Sequence, residues 1–294
     1  MERFMEKPTT TRGASGAAII DVLSVPGARL HMETRGSGPV LLCVVGGNGD
    51  AEVFSQIGGA LAGRFTVVTY DRRGFARSPV DGPVDDTTRI AADADDAMRV
   101  IEHSGGGPAY VFGSSSGAIV GLDLLARHPS SVRTLVAHEP PLVTLLPDGS
   151  TWLALFDEVH AIYLASGAAP AMAKFSAAVG LQGMREVPAG LQLPPHIAAM
   201  FARMAANQAF WLEHELRHYP RFVPDMDALR AASGKLVLGV GRETRGGVLA
   251  RPARALAESL GVPVVEFAGG HVGYVTDPAE LARELGELLA AEPR

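Results

Sequence analysis

The sequence predicts an α/β fold: a mostly parallel, doubly wound sheet interrupted by a helical insertion. Short apolar segments alternate with helical patterns over residues 17–141 and again over 233–294, and strands that alternate with helices form a parallel sheet covered on both faces. Residues 142–232 break this alternation with several Ala- and Met-rich helical segments and no clear strand. We therefore expect one core built from the two alternating regions, a helical insertion at 142–232, and a flexible polar tail at 1–16.

The strands of the predicted core are short apolar segments that end at glycine, proline or polar residues. An opening hairpin is followed by runs such as PVLLCVV that are apolar throughout, as expected of strands buried on both faces of a sheet. In chain order the predicted strands are AAIIDVLSV, ARLHMETRG, PVLLCVVGG, RFTVVTYDRRG, PAYVFG, VRTLVAHEPP, KLVLGVG and VPVVEFAGG.

The helices of the predicted core carry apolar residues at intervals of three and four positions. They are AEVFSQIGGALAG, TTRIAADADDAMRVIEHSG, AIVGLDLLARHP, RPARALAESLG and DPAELARELGELLAA. For the last helix, Asp277 is predicted as the N-cap, Pro278 as a first-turn residue and Glu280 as the partner in a capping box.

Composition and charge narrow the function classes. The chain of 294 residues is 47% hydrophobic and carries a formal net charge of -6, which argues against nucleic acid or an anionic membrane as a main partner. Cys43 is its single cysteine, so no internal disulfide can form and nothing indicates an oxidising compartment. Neither a signal-peptide core nor an apolar run of about 18 residues is found. These features predict a soluble, cytoplasmic protein.

The segment GSSSG at 113–117 lies between an apolar strand and a long helical pattern. Strand, five small residues and helix are the context of a nucleophile elbow, a tight turn that lifts one hydroxyl clear of a sheet. Ser115 is its central residue, and side chains in place of Gly113 and Gly117 would collide with the neighbouring strand and helix. The backbone N–H of Ser116 is then a natural oxyanion donor. The alternative is an ordinary tight turn between strand and helix.

From about residue 17 onward the chain resembles the α/β-hydrolase family. Besides GSSSG, the likeness rests on the glycine-rich end of the third strand, VVGGNGD, on VVTYDRRGFARS, and on a late GGHVGY. The family orders its catalytic residues as serine, acid and histidine, and the motifs stand in the matching order. The resemblance implies a sheet of the α/β-hydrolase type with 142–232 as a helical lid, Ser115 as the nucleophile and no cofactor.

His271, in GGHVGY, follows the last predicted strand in a glycine-flanked loop, where the resemblance places the catalytic base. A serine hydroxyl needs such a base to become a useful nucleophile. The chain has nine histidines, but most of the others lie in helical patterns, among them His103, His128 and His160. A structural loop histidine is the alternative interpretation of His271.

The acidic partner is left open between two glutamates. The family usually places it after the strand that follows the insertion, where the commonest spacing falls on Thr244 and Glu243 lies one residue earlier. Haloalkane dehalogenases instead place a glutamate at the end of the preceding strand, and Glu139 stands there, 24 residues after Ser115. We favour Glu139, with Glu243 next. Because dehalogenases use an aspartate nucleophile, Ser115 argues against carbon–halogen displacement.

The second oxyanion donor is expected in the glycine-rich loop after the third strand. The resemblance aligns Asn48 with the family's donor position, and Gly47 is the second choice. Relatives often carry His-Gly where this chain has Gly46 and Gly47, so the loop departs from the family pattern at the residues next to the expected donor.

Two features of the insertion bear on ligands. It contains both tryptophans and five of the nine methionines, which favours an apolar pocket for a small acyl or ring compound. HELRH at 214–218 matches a zinc-binding pattern, but a catalytic zinc needs a third protein ligand, for which His196 and Glu213 are the candidates. We favour instead the polar face of an amphipathic helix, and we expect no metal.

These inferences predict a serine hydrolase that cleaves a carboxylic ester or lactone of a small apolar molecule through an acyl-enzyme on Ser115. Acyl transfer shares that intermediate. Transfer, perhydrolysis or a ring-forming step in small-molecule biosynthesis is therefore the alternative, as is a non-catalytic small-molecule receptor. The expected partner is a small, apolar, ester-like substrate, and homo-oligomerisation is left open.

Overall fold

A computed structural model describes residues 18–47, 49–181 and 195–291. Its eight-stranded sheet consists of β1 (Ile19–Val25), β2 (Ala28–Gly36), β3 (Val40–Val44), β4 (Thr66–Tyr70), β5 (Ala109–Ser114), β6 (Val132–His138), β7 (Leu236–Gly241) and β8 (Val264–Phe267). The spatial order is β1-β2-β4-β3-β5-β6-β7-β8. Strand β2 is antiparallel to β1 and β4, and the other neighbouring pairs are parallel. The predicted α/β class and mostly parallel sheet are confirmed.

Helices cover both faces of this sheet. They are α1 (Ser55–Leu61), α2 (Arg89–His103), α3 (Ser116–Arg127), α4 (Gly149–Ser166), α5 (Ala168–Val179), α6 (Pro195–His214), α7 (Met226–Ala231), α8 (Arg251–Leu260), α9 (Gly273–Thr276) and α10 (Pro278–Ala290). Successive strand residues point to opposite faces. Thus Leu41 and Cys43 of β3 pack with α1 and α10, whereas Leu42 and Val44 pack with α2, α3 and α8. The sheet is therefore doubly wound, as predicted.

The helices α4 to α7 lie between β6 and β7 and form the predicted helical insertion. Val159 of α4, Ala171 of α5 and Leu212 of α6 belong to a hydrophobic cluster of their own, separate from the two clusters that flank the sheet. The boundaries of the insertion at 142 and 232 stay a prediction. The predicted tail, residues 1–16, lies outside the described residues.

No helix in the described part of the chain is long and apolar enough to span a lipid bilayer. A helix that does so needs about 20 consecutive, mostly apolar residues.

The last helix begins where the sequence predicts but is capped differently. Asp277 occupies the N-cap position of α10 and makes no side-chain hydrogen bond to the helix. Its carboxylate instead accepts a hydrogen bond from Thr276 Oγ1 at 2.8 Å, and Glu280 pairs with Arg283 at 2.7 Å. The capping-box prediction is therefore wrong, because each carboxylate is engaged by a neighbouring side chain.

Candidate active site

Ser115 lies at the point where β5 ends and α3 begins. Its backbone has φ 57° and ψ -124°, a left-handed conformation that strains any residue with a side chain. The Ser115 N–H donates to the carbonyl oxygen of His138 at 2.9 Å, so the neighbouring strand β6 holds the turn in place. The Ser115 side chain is half-buried, whereas Ser114 and Ser116 on either side are buried. The turn therefore singles out Ser115 among the three serines.

The two glycines of GSSSG are required by close packing. A Cβ atom added to Gly113 would lie 2.4 Å from the carbonyl oxygen of Gly117. One added to Gly117 would lie 2.2 Å from the carbonyl oxygen of Val44, on β3. Both distances are far below van der Waals contact, and the obstructing atoms belong to the backbone. The first turn of α3 can therefore approach β5 only without a side chain at position 113, and β3 only without one at position 117.

Glu139 directly follows β6 and is buried, with 1% of its surface exposed. Strands β5 and β6 are paired in parallel up to Ser114 and His138, and paired strands lie about 4.8 Å apart. Ser115 and Glu139 are the next residues on these two strands, so they are neighbours at the carboxyl edge of the sheet. Glu139 also has a positive φ of 48°, a second strained position at the same edge.

The Glu139 carboxylate accepts hydrogen bonds from three groups. Its Oε1 atom accepts from the Gly241 N–H at 2.9 Å and from the Thr244 hydroxyl. Its Oε2 atom lies 2.7 Å from Nδ1 of His271. Burial alone would raise the pKa of this carboxyl group. The pKa is instead lowered to about 2 by the hydrogen bond to His271, by the nearby charges of His271 and His138, and by the Thr244 hydroxyl. Glu139 is therefore ionised at neutral pH.

His271 lies in the loop between β8 and α9 and is 9% exposed. An ionised carboxylate can only accept a hydrogen bond, so the Nδ1 atom of His271 carries the proton that Glu139 binds. In a neutral ring the other nitrogen, Nε2, is then a proton acceptor. A buried carboxylate that orients an imidazole in this way holds it in the tautomer that a general base requires.

The second candidate acid, Glu243, is exposed. Its backbone N–H donates to the carbonyl oxygen of Gly269 at 3.0 Å, which ties the end of β7 to the loop that carries His271. Thr244, the position with the commonest family spacing, supplies a hydroxyl donor to Glu139. Sequence reasoning did not predict that Thr244 supports a glutamate of the neighbouring strand, because only a carboxylate was expected at position 244.

The predicted oxyanion loop begins directly after β3. Gly46 and Gly49 close a tight turn, in which the Gly49 N–H donates to the Gly46 carbonyl oxygen at 2.9 Å. A Cβ atom on Gly46 would lie 2.8 Å from Cβ of Ser115, and one on Gly47 would lie 2.4 Å from Cδ1 of Trp211. Gly47 is therefore half-buried against Trp211 of helix α6, and its turn lies against Ser115.

Of the two other predicted oxyanion residues, Ser116 lies within the described part of the chain. Ser116 is the first residue of α3 and is 3% exposed, so its backbone N–H lies at the N-terminus of a helix, next to Ser115. Asn48, the first choice for the second donor, lies outside the described residues.

The HELRH segment does not form the polar helix face that the sequence predicts. Helix α6 ends at His214, and Glu215 is completely buried, so the predicted polar helix face is wrong. Glu215 lies 2.7 Å from Arg72 and 3.2 Å from Arg89, because a buried carboxylate needs compensating charge. Within the described ranges, no group of three or more metal-ligating side chains could hold an ion.

Comparison with known proteins gives the same architecture. Residues 39–178 match a family model described as alpha/beta hydrolase fold. The chain is 34% identical over 278 residues to the uncharacterized hydrolase YraK of Bacillus subtilis (strain 168). This alignment covers 92% of this chain and 96% of that protein. It is 27% identical over 275 residues to the zearalenone hydrolase of Bionectria ochroleuca, and this second alignment covers 90% of this chain and 96% of that protein.

A solved structure is similar over the same extent. The crystal structure of an alpha/beta hydrolase from Sphaerobacter thermophilus DSM 20745 has a TM-score of 0.64 at 22% identity and covers 92% of this chain and 100% of that one. At that identity the likeness concerns the fold alone. Identity with YraK is higher and extends over nearly the whole length of both proteins. On this likeness, and on a doubly wound sheet with a strained serine after β5, the chain belongs to the alpha/beta hydrolase fold family.

Proposed function

We propose that this protein is a serine hydrolase that cleaves a carboxylic ester or lactone of a small apolar molecule through an acyl-enzyme on Ser115. The observation that carries the proposal is the pair formed by Glu139 and His271, 2.7 Å apart, at the sheet edge where Ser115 is held in a strained turn. A buried carboxylate, an oriented imidazole and a raised hydroxyl are the parts that serine acyl transfer requires.

In the proposed first step, the Ser115 hydroxyl attacks the substrate carbonyl while Nε2 of His271 takes its proton. Glu139 stabilises the imidazolium that forms and keeps its own charge, as its pKa of about 2 allows. The negative charge that develops on the substrate oxygen meets the Ser116 N–H and the glycine turn beside Ser115. His271 then returns the proton to the leaving alcohol. Water, activated by the same imidazole, hydrolyses the acyl-enzyme.

The proposed substrate class rests on two lines of support. The relative from Bionectria ochroleuca, similar over 90% of this chain, is named for the hydrolysis of zearalenone. Aromatic side chains of the insertion also lie at the oxyanion loop, since Trp211 packs against Gly47 and lies 4.9 Å from the ring of Phe175. Apolar walls of this kind favour a hydrophobic acyl or ring compound.

Labelling with a fluorophosphonate tests the nucleophile. Such a reagent forms a stable bond with an activated serine, so we expect one adduct, on Ser115, together with loss of hydrolysis of short p-nitrophenyl esters and of zearalenone. Ser115→Ala should lose both labelling and hydrolysis. Ser116→Ala is the matched control, because it removes a hydroxyl one residue away and keeps the backbone N–H. A folded wild-type protein that does not react, or hydrolysis that survives in Ser115→Ala, would contradict the proposal.

A further inference from the structure

Arg72, two residues beyond β4, is a completely buried guanidinium group held by two carboxylates. Its Nη1 atom lies 2.7 Å from Glu215 Oε1 and 2.9 Å from Asp93 Oδ2, and its Nη2 atom lies 2.8 Å from Glu215 Oε2. All three side chains are fully buried. Two parallel hydrogen bonds between a guanidinium and a carboxylate fix the guanidinium in one plane. Arg72 is thus a rigid group, oriented by helix α2 on one side and by the insertion on the other.

The same guanidinium holds the glycine turn that follows β3. Its Nη2 atom donates to the carbonyl oxygen of Gly46 at 2.8 Å, and the backbone N–H of Arg72 donates to the carbonyl oxygen of Gly49 at 3.1 Å. These are the two residues whose own hydrogen bond closes the turn. Arg72 therefore holds the turn at both ends.

The turn that Arg72 holds is the one that lies against Ser115. Gly46 approaches so closely that a Cβ atom there would lie 2.8 Å from Cβ of Ser115. Glycine is conformationally permissive, and this segment has glycines at 46, 47 and 49. Its sequence therefore supplies little stiffness, and its geometry must come from groups outside it.

We propose that Arg72 is a positioning residue for catalysis: it fixes the glycine turn so that the backbone N–H of Gly47 is aimed at the developing oxyanion. Glu215 orients the guanidinium and so contributes to the same function, although it belongs to the helical insertion. This inference rests on the proposed function, since an oxyanion forms only if Ser115 attacks a carbonyl. The neighbouring Arg73 differs, because it forms a bidentate pair with Asp96 at 2.7 Å.

Steady-state kinetics of two variants and one matched control test the inference. Arg72→Lys keeps the charge but cannot donate in two directions from one plane. We expect kcat to fall about 100-fold with KM within about threefold of wild type, because a misplaced donor weakens binding of the transition state alone. Glu215→Gln should lower kcat by about 10-fold by the same route. Arg73→Lys, the matched control, should leave kcat within about twofold.

Hydrogen exchange provides a second measurement that does not depend on turnover. The amides of Gly49 and Arg72 should exchange faster in Arg72→Lys than in wild type and stay unchanged in Arg73→Lys, because only the former loosens the turn. Unchanged exchange, or a KM that rises while kcat is kept, would overturn the inference. A wild type that neither hydrolyses esters nor reacts with the fluorophosphonate would instead refute the proposed function, and exchange would still decide whether Arg72 holds the turn.

Discussion

Several features together hold Glu139 in one conformation. It is buried and its backbone has a positive φ. Its N–H is tied to the carbonyl oxygen of Gly239 at 2.9 Å, and its side chain meets donors from β7 and from the His271 loop. Strain of this kind persists only where the surroundings over-determine it. A role in orienting His271 accounts for all of these features.

Substituting each candidate acid in turn distinguishes Glu139 from Glu243. Glu139→Gln should lower kcat by about 10³–10⁴-fold, because a neutral amide neither stabilises the imidazolium nor enforces the Nδ1–H tautomer of His271. Glu243→Gln changes an exposed side chain and should leave kcat within about twofold. Rates of p-nitrophenyl ester hydrolysis for both variants give the comparison. Equal losses, or a larger loss in Glu243→Gln, would reverse the assignment of the acid.

The strand–turn–helix unit of β5 and α3 is held together by close backbone contacts at positions without side chains. Gly117 lies in the first turn of α3, against the carbonyl oxygens of Val44 and Val45 at the end of β3. Three elements thus meet at a point where even a methyl group has no room. The position of Ser115 depends on this contact.

Substituting this glycine tests that dependence. Gly117→Ala should lower the free energy of unfolding by about 2–3 kcal/mol, because the obstructing atoms are backbone and cannot rotate away. Gly59→Ala is the matched control: it lies within α1, nothing stands within 4 Å of the added Cβ atom, and alanine there should stabilise the helix by about 0.5–1 kcal/mol. Urea unfolding of the two variants measures both effects. A Gly117→Ala protein as stable as wild type would contradict the packing argument.

Two buried groups at the carboxyl edge of the sheet, His138 and Glu139, make the stability of the whole fold depend on pH. Burial lowers the pKa of His138 from 6.5 to about 4, so between these values the unfolded chain binds a proton that the folded chain does not. Stability should therefore fall as pH drops from 6.5 to 4. For Glu139 the pKa is lowered from 4.5 to about 2, which extends the loss of stability through that lower range.

The variant His138→Leu isolates the first of these two effects. It removes the titrating ring between Phe112 and Phe267, and should reduce the slope of unfolding free energy against pH between 6.5 and 4 by up to about 1.4 kcal/mol per pH unit. Phe267→Leu is the control, expected to lower stability at every pH without changing the slope. Urea titrations at pH 7.0, 5.5 and 4.5 provide the measurement. An unaltered slope in His138→Leu would show that the histidine is not the titrating group.

Neighbouring residues along the chain were enough to predict much of the fold. The alternation of strands and helices follows from local periodicity. An apolar strand and a helix flank the small side chains of GSSSG directly, which was enough to predict a tight turn centred on Ser115. The position of His271 after β8 could be predicted in the same way. These features depend on residues close together in the chain, so they can be predicted from the sequence.

Partners of buried charges, in contrast, depend on which strands and helices become neighbours in space. Glu139 and Glu243 both follow a strand, and only the sheet order and the backbone turn at Glu139 bring one of them to a histidine 132 residues away. Arg72 and Glu215 are 143 residues apart, and in the sequence one is a polar strand end and the other part of a zinc-like pattern. Periodicity and turn-forming residues can be recognised within a few neighbouring positions of the sequence. The partner that neutralises a buried charge is determined only when distant segments pack together.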